Sequence, residues 1–234
     1  MSVRLVVRTF SELSITIGTV IVLFVVYVMF WTGVKAADAS DGQIDQLQDQ
    51  WAQGAVPDRS APVQGSPPDP AAYRPGKPFA VMYVPRLGKG WDWPVLEGTK
   101  VKTLKKGLGH YAGTARLGQK GNFSVAGHRR TYGDPFKDFP KLRPGDAVVL
   151  TDGATWFTYR IDNKPYLTVP GDTGVIDPVP RPLVRNAIDF VGPGRYLTLT
   201  TCDPEWGSSH RLIVWAHLDA TQPVEKGEPP ALRR

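Results

Sequence analysis

Tyr196-Leu-Thr-Leu-Thr-Thr-Cys202 and, after a short polar loop, Arg211-Leu-Ile-Val-Trp-Ala-His-Leu218 decide how this chain is read. Both runs are rich in β-branched and aromatic residues. Pro204, Gly207, Ser208 and Ser209 stand between them, the pattern of two neighbouring strands joined by a loop. Antiparallel pairing brings the end of the first strand to the start of the second. The only cysteine and an arginine then share one end of the sheet. Side chains alternate along a strand, so Leu197 and Leu199 take one face while Thr198, Thr200 and Cys202 take the other. A lone cysteine is ordinarily a small buried hydrophobe. A strand-end cysteine on a polar face beside a guanidinium is instead a candidate thiolate, the reactive form. Nucleophilic use also needs a histidine in reach.

Four histidines compete for that role. His217 sits inside the last strand and reads as a satisfied sheet-surface residue. His210 precedes Arg211 and reads as solvated. His110 falls in Gly107-Leu-Gly-His-Tyr-Ala-Gly113, a glycine-punctuated loop. His128 ends the apolar run Asn122-Phe-Ser-Val-Ala-Gly-His128 and stands before the turn Tyr132-Gly-Asp-Pro135. A histidine mounted at a strand end before a loop is placed where catalytic groups tend to be carried.

With those residues in view the chain resembles the sortases. Thr198-Leu-Thr-Thr-Cys202 matches the family's T-L-x-T-C signature, Arg211 opens the next strand, and Gly127-His128-Arg129 matches the histidine segment. His110-Tyr-Ala-Gly-Thr-Ala115 and the Leu-Thr-Thr-Cys form look most like class E sortases of actinobacteria. The resemblance runs from Phe79 to Leu218. It implies an all-β fold, an eight-stranded β-barrel with short helices, and a catalytic set of Cys202, His128 and Arg211. It further implies a cysteine transpeptidase that cuts a pentapeptide sorting signal, Leu-Ala-x-Thr-Gly in place of Leu-Pro-x-Thr-Gly, between Thr and Gly. The implied partners are secreted proteins bearing that signal and an amine of a peptidoglycan precursor. Tyr111 is the candidate reader of the Ala/Pro difference, and Thr201 a candidate substrate-positioning residue. No cofactor is needed. Some sortases of another class use calcium, but no dedicated acidic cluster here warrants carrying over a metal.

Arg211 cannot serve as a base, because its guanidinium stays protonated. Its role must be electrostatic, holding substrate or stabilising an oxyanion. Two other readings stand beside the transpeptidase. One is a cysteine hydrolase with the same three residues and water as acceptor. The other is a non-catalytic, membrane-tethered β-barrel binding module whose Cys202 is inert.

One cysteine excludes an internal disulfide, and no Cys/His spacing suits zinc. The net charge is +6, unevenly spread. Residues 1–35 carry +2 and 36–78 carry −3, which leaves +7 for the remainder. A basic domain suits nucleic acid or an anionic envelope. Lys100, Lys102, Lys105 and Lys106 are the densest patch, yet no nucleic-acid motif accompanies them, so nucleic acid is not an expected partner.

Between Glu12 and Lys35 lie 22 residues without a charge. As a helix they span about 33 Å, matching a hydrocarbon core of about 30 Å. A cleaved signal peptide would have a shorter apolar region, although Ala36-Ala37-Asp38-Ala39 could be cut. The length favours a retained membrane span at 13–34. Arg4 and Arg8 precede it and acidic residues follow, which puts residues 1–12 in the cytoplasm and the catalytic domain outside the cell membrane. In residues 35–78, Ser40-Asp-Gly-Gln43 fits a helix N-cap, with Ile44, Leu47 and Trp51 at helical spacing over 41–53. Residues 56–78, rich in Pro, Ser, Gly and Asp, read as a semi-extended linker. The catalytic domain is expected over 79–220 and a frayed tail over 221–234. Within the domain, short strands alternate with turn signals. Among them are a hairpin around Asp152-Gly153 and a helix start at Asp134-Pro135. Trp91, Trp93, Trp156 and Trp215 read as barrel packing. Trp206, beside Cys202, is a candidate wall of a substrate groove.

Overall fold

In the computed structural model, residues 3–54, 73–184 and 190–233 are described. One helix, α1 (Val3–Ala52), precedes the strands. These are β1 (Pro78–Tyr83), β2 (Asp92–Glu97), β3 (Leu108–His110), β4 (Gly121–Ala126), β5 (Ala147–Thr151), β6 (Thr155–Ile161), β7 (Tyr166–Thr168), β8 (Arg195–Asp203) and β9 (His210–Pro223). The sheet runs β6-β5-β1-β2-β3-β4-β8-β9 and closes where β9 pairs β6. That ring is the expected eight-stranded barrel. β7 adds no ninth stave. It resumes the line of β6 after a break at 162–165, pairing Tyr166 with Ile213 where β6 ended at Ile161 opposite Ala216. Closure leaves no sheet edge in the ring to be protected.

Period-two alternation fills the barrel. Ala80, Met82, Phe123, Val125, Val148, Leu150, Phe157, Tyr159, Leu197, Leu199, Leu212 and Val214 point inward and are buried. Phe136, Phe139 and Leu142, from the segment joining β4 to β5, join that core and stopper one end. The alternate residues face outward, and the outer face of β8 and β9 has its own cover. Val175, Ile213 and Trp215 form a second buried cluster beneath Phe190 and Tyr166. The Trp215 indole donates to the Val175 carbonyl at 3.0 Å. Trp215 therefore packs against the outside of the barrel, not within it.

Three stretches differ from the sequence reading. Gly107-Leu-Gly-His110 is no loop. Leu108–His110 forms a short strand that pairs parallel to β2 and antiparallel to β4. Tertiary pairing overrides glycine's poor strand propensity. The tail is not frayed through the residues described: β9 runs to Pro223, turns at Val224–Lys226 and Pro230–Leu232 follow, and Pro229 is buried. Tyr83 beneath this region has its pKa pushed up to about 12, by burial first and then by the charges of Asp92 and Glu228. Finally, α1 is unbroken where a span and a separate helix were expected. Its apolar stretch among the described residues is Val6–Tyr27, with a mean hydropathy of 2.0, long enough to cross a membrane. The helix continues through Ala36-Ala-Asp-Ala39, good helix formers in the main, to Ala52. Ala36, Ser40, Ile44 and Leu47 are buried, at the spacing of one helix face. Ile44 and Leu47 pack on Val81 of β1, with Trp51 and Tyr83 alongside. The proposed linker falls largely at 55–72, outside the described residues.

Candidate active site

Strand register assembles the site. β4 and β8 are parallel neighbours, with Ala126 opposite Thr200. Beyond β4 the ladder persists for one residue, since Gly127 N donates to Thr200 O at 3.1 Å. That places His128 one step further along, level with Cys202. On the other side of β8, Cys202 is the register partner of Arg211. Three adjacent chains thus present histidine, cysteine and arginine side by side, neighbours lying about 4.8 Å apart across the ladder. Parity puts all three outside the barrel. Phe123 and Val125, Leu197 and Leu199, and Leu212 and Val214 point inward, so His128, Cys202 and Arg211 take the opposite face.

The side chains differ in environment. Cys202 is half-buried. His128 is more enclosed. Its ring lies 5.2 Å from that of Tyr132, and Lys105 Nζ sits 4.8 Å over the far ring. Nε2 of His128 is buried and, among the described residues, has no hydrogen-bond partner. Burial lowers its pKa below the ordinary 6.5. The charge of Asp134 opposes this and that of Lys105 reinforces it. The imidazole is therefore mostly neutral at neutral pH. Arg211 donates from Nη1 to the carbonyls of Ser208, at 2.9 Å, and His210, at 2.8 Å, within the β8–β9 loop.

The chain after His128 is strained. Thr131, Tyr132, Gly133 and Asp134 all have positive φ, between 51° and 83°. For the three non-glycine residues that conformation costs about 1 kcal/mol or more each. Gly133 has no alternative, as a Cβ there would sit 2.4 Å from the Trp93 ring. The turn is what sets Tyr132 against His128. Asp134 therefore begins no helix. The one helical turn in this stretch is the 3-10 turn at Phe139–Lys141.

Two pairings link the His128 and Cys202 segments, and neither was anticipated. Arg129 pairs with Asp203, and Arg130 pairs with Glu205 while lying 4.9 Å over the Trp206 ring. The signal was present in the sequence: two arginines directly follow the histidine, and two carboxylates closely follow the cysteine. Trp206 stays 67% exposed, at the lip of the site.

The remaining candidates separate. Tyr111 reaches the site's face, and its hydroxyl lies 2.9 Å from Thr200 Oγ1, two residues before Cys202. Thr201 does not face the site. It is buried, and its hydroxyl donates to Gly127 O at 2.9 Å. Period-two alternation turns it away from its neighbour Cys202. His110 is buried, with Nδ1 2.6 Å from Glu97 Oε2 and its ring stacked on Phe123. His217 lies on the sheet surface against Asp162, and His210 is exposed beside Ser209.

Residues 82–219 match the sortase domain family. The chain belongs to the sortase family. Sortase SrtE1 of Streptomyces coelicolor is 39% identical over 232 residues, 96% of this sortase and 60% of that protein. The chain thus spans 60% of the length of that curated relative. Sortase E from Streptomyces avermitilis is 73% identical in its solved structure. The match covers 69% of this chain and all of that one, with a TM-score of 0.63. A crystal structure of Sortase E1 from Streptomyces coelicolor with a tripeptide in the active site is 39% identical. It covers 69% of this sortase and 99% of that chain, with a TM-score of 0.61. The likeness to class E is thus carried by both sequence and fold. Sortases are cysteine transpeptidases.

Proposed function

We propose that this sortase is a membrane-anchored transpeptidase in which Cys202 is the nucleophile, His128 the proton carrier and Arg211 the electrostatic partner. The observation that carries the reading is the register: His128, Cys202 and Arg211 stand side by side on the outer face of one barrel end. The substrate is a peptide sorting signal of the form Leu-Ala-x-Thr-Gly or Leu-Pro-x-Thr-Gly, cut between Thr and Gly. The tripeptide in the active site of the Streptomyces coelicolor Sortase E1 supports a peptide as occupant.

Cys202 Sγ attacks the threonine carbonyl carbon, and the thiol proton passes to neutral His128. The C–N bond to glycine then breaks, and His128 returns that proton to the departing amine. The threonine is left as a thioester on Cys202. An incoming amine, from a peptidoglycan precursor, attacks the same carbon. His128 takes its proton, the C–S bond breaks, and the sulfur recovers the proton. Arg211 stands where negative charge develops on the carbonyl oxygen. Tyr111, tied to Thr200, lines the approach and is the proposed reader of Ala against Pro. Thr201 acts indirectly, bonding the His128 strand to the Cys202 strand. Val6–Tyr27 is the anchor, with the residues before it cytoplasmic and the barrel outside.

The test uses the barrel, from about residue 71, with a Leu-Ala-x-Thr-Gly peptide and an amine. Mass spectrometry should show a thioacyl adduct of Cys202 and a joined product. Cleavage without joining in the presence of several amines would make it a hydrolase. Absence of any adduct with related peptides would end the enzymatic reading.

The rate should also report on His128. Protonating the imidazole removes the base, so activity should fall on the acid side. The midpoint should lie below 6.5, because burial holds the folded pKa under that value. Lys105→Gln removes a charge that lowers this pKa and should shift the midpoint upward. An acid limb centred above neutrality would rule out this assignment of His128.

A further inference from the structure

The direction of α1 across the barrel carries a consequence for the whole molecule. Trp51, near the helix's end, lies at the turn between β5 and β6, where a Cβ on Gly153 would sit 2.4 Å from its indole. From there the helix runs back over β1, with Leu47 and Ile44 on Val81. Ser40 and Ala36 are still buried, at 3% and 4% exposure. Fifteen residues separate Ala36 from Trp51, about 22 Å of helix, which is the height of a strand of six or seven residues. Near Ala36 the helix has therefore reached the other end of the barrel. The charge of Asp41 accordingly reaches Asp92, the first residue of β2.

That other end is the catalytic one. β1 is antiparallel to β2, β2 parallel to β3, β3 antiparallel to β4, and β4 parallel to β8. The C-termini of β1, β4 and β8 and the N-termini of β2 and β9 consequently share one end. His128, Cys202 and Arg211 lie there.

We propose that α1 is a rigid strut that aims the catalytic end of the barrel at the bilayer surface. This rests on the reading of Val6–Tyr27 as a membrane span. Upstream of Ala36 the helix is apolar and exposed, with Val20, Ile21, Leu23, Phe24 and Val25 all facing outward. From Tyr27 to Ala36 is nine residues, so the catalytic end stands within about 14 Å of the end of the span. The buried stripe at 36, 40, 44 and 47 fixes the angle, because the helix cannot turn about its axis without exposing those side chains and lifting Ile44 and Leu47 off β1. Charge complements the arrangement. The segments at this end, 84–91, 127–146, 162–165 and 204–210, carry eight lysines and arginines against five carboxylates. A net positive surface is favoured against anionic headgroups. The partner is thus an anionic lipid surface, and the active site opens toward substrates held in the same membrane.

The experiment uses the full chain with Cys202→Ala, so that one introduced cysteine carries a donor dye. Lys164→Cys labels the catalytic end and Lys120→Cys the opposite end, both positions being exposed. Each protein is reconstituted into vesicles of phosphatidylcholine and phosphatidylglycerol with an acceptor dye on the headgroups. The two ends differ in height by about 20 Å, so the donor at 164 should transfer at least about twice as efficiently as that at 120. A run of glycines inserted after Lys35 breaks the strut without touching the stripe and should abolish the difference. Protein that floats with the vesicles but shows equal or reversed transfer overturns the orientation and leaves the anchor standing. A difference that survives the glycine insertion overturns the strut. Protein that fails to float overturns the membrane span itself.

Discussion

Cys202→Ala should leave the barrel folded and remove transpeptidation by about a thousandfold or more, the scale on which loss of a catalytic nucleophile is felt. The fold should tolerate it because the thiol is half-buried at a strand end and belongs neither to the barrel interior nor to the Trp215 layer. The measurement has two parts. Mass spectrometry should lose the thioacyl adduct, and thermal unfolding should stay within a degree or two of the parent. The binding-module reading makes the opposite forecast, since an inert cysteine can be replaced without effect. Cys202→Ala with full joining activity would sink the mechanism. Loss of both activity and fold would leave function unassigned, and Cys202→Ser, which preserves volume and polarity, would then decide between them.

The part of this site that can be read from the sequence is the part that local rules govern. Strands 196–202 and 211–218 follow from period-two alternation and a turn-rich loop, and antiparallel pairing alone brings Cys202 to Arg211. The same alternation already told that Thr201 must face away from Cys202, although adjacency suggested a shared role. His128 needed more, because its neighbour in space is separated from it by 74 residues of chain, and only a motif could join the two. What stayed hidden depends on tertiary partners. Leu108–His110 is a strand only because β2 and β4 are there to pair with it. The tail folds back because Tyr83 and the barrel wall receive it. Trp215 was legible as packing, but alternation names a face without naming what covers it. The continuity of α1 was obscured by a capping pattern at Ser40, whose side chain the barrel buries instead.

Trp215→Ala should be the most damaging single truncation outside the barrel interior, and it should disable the site without touching it. The side chain is fully buried, and removing a core tryptophan costs about 3–5 kcal/mol. For a domain of this size that is a fall in Tm of about 10 °C. The indole does three things at once. It fills the layer between β9 and the Thr173–Ile176 turn, it packs against the tilted ring of Tyr166 and the edge-on ring of Phe190, at 5.4 and 5.6 Å, and it donates to Val175 O. That carbonyl also accepts a hydrogen bond from Thr198 Oγ1 at 3.2 Å, so the cover is bonded to the same strand that carries Cys202. Truncation leaves a cavity beneath the cover and loosens β9 near its start, where Arg211 stands. Activity at a temperature where the variant is folded should therefore fall as well, by less than for Cys202→Ala. Trp215→Phe separates the two contributions: it keeps most of the volume and loses the hydrogen bond, so it should recover more than half of the lost stability. A Trp215→Ala protein with unchanged Tm would show that the outer layer does not hold β8 and β9 in place, and the account of how the site is supported would fail with it.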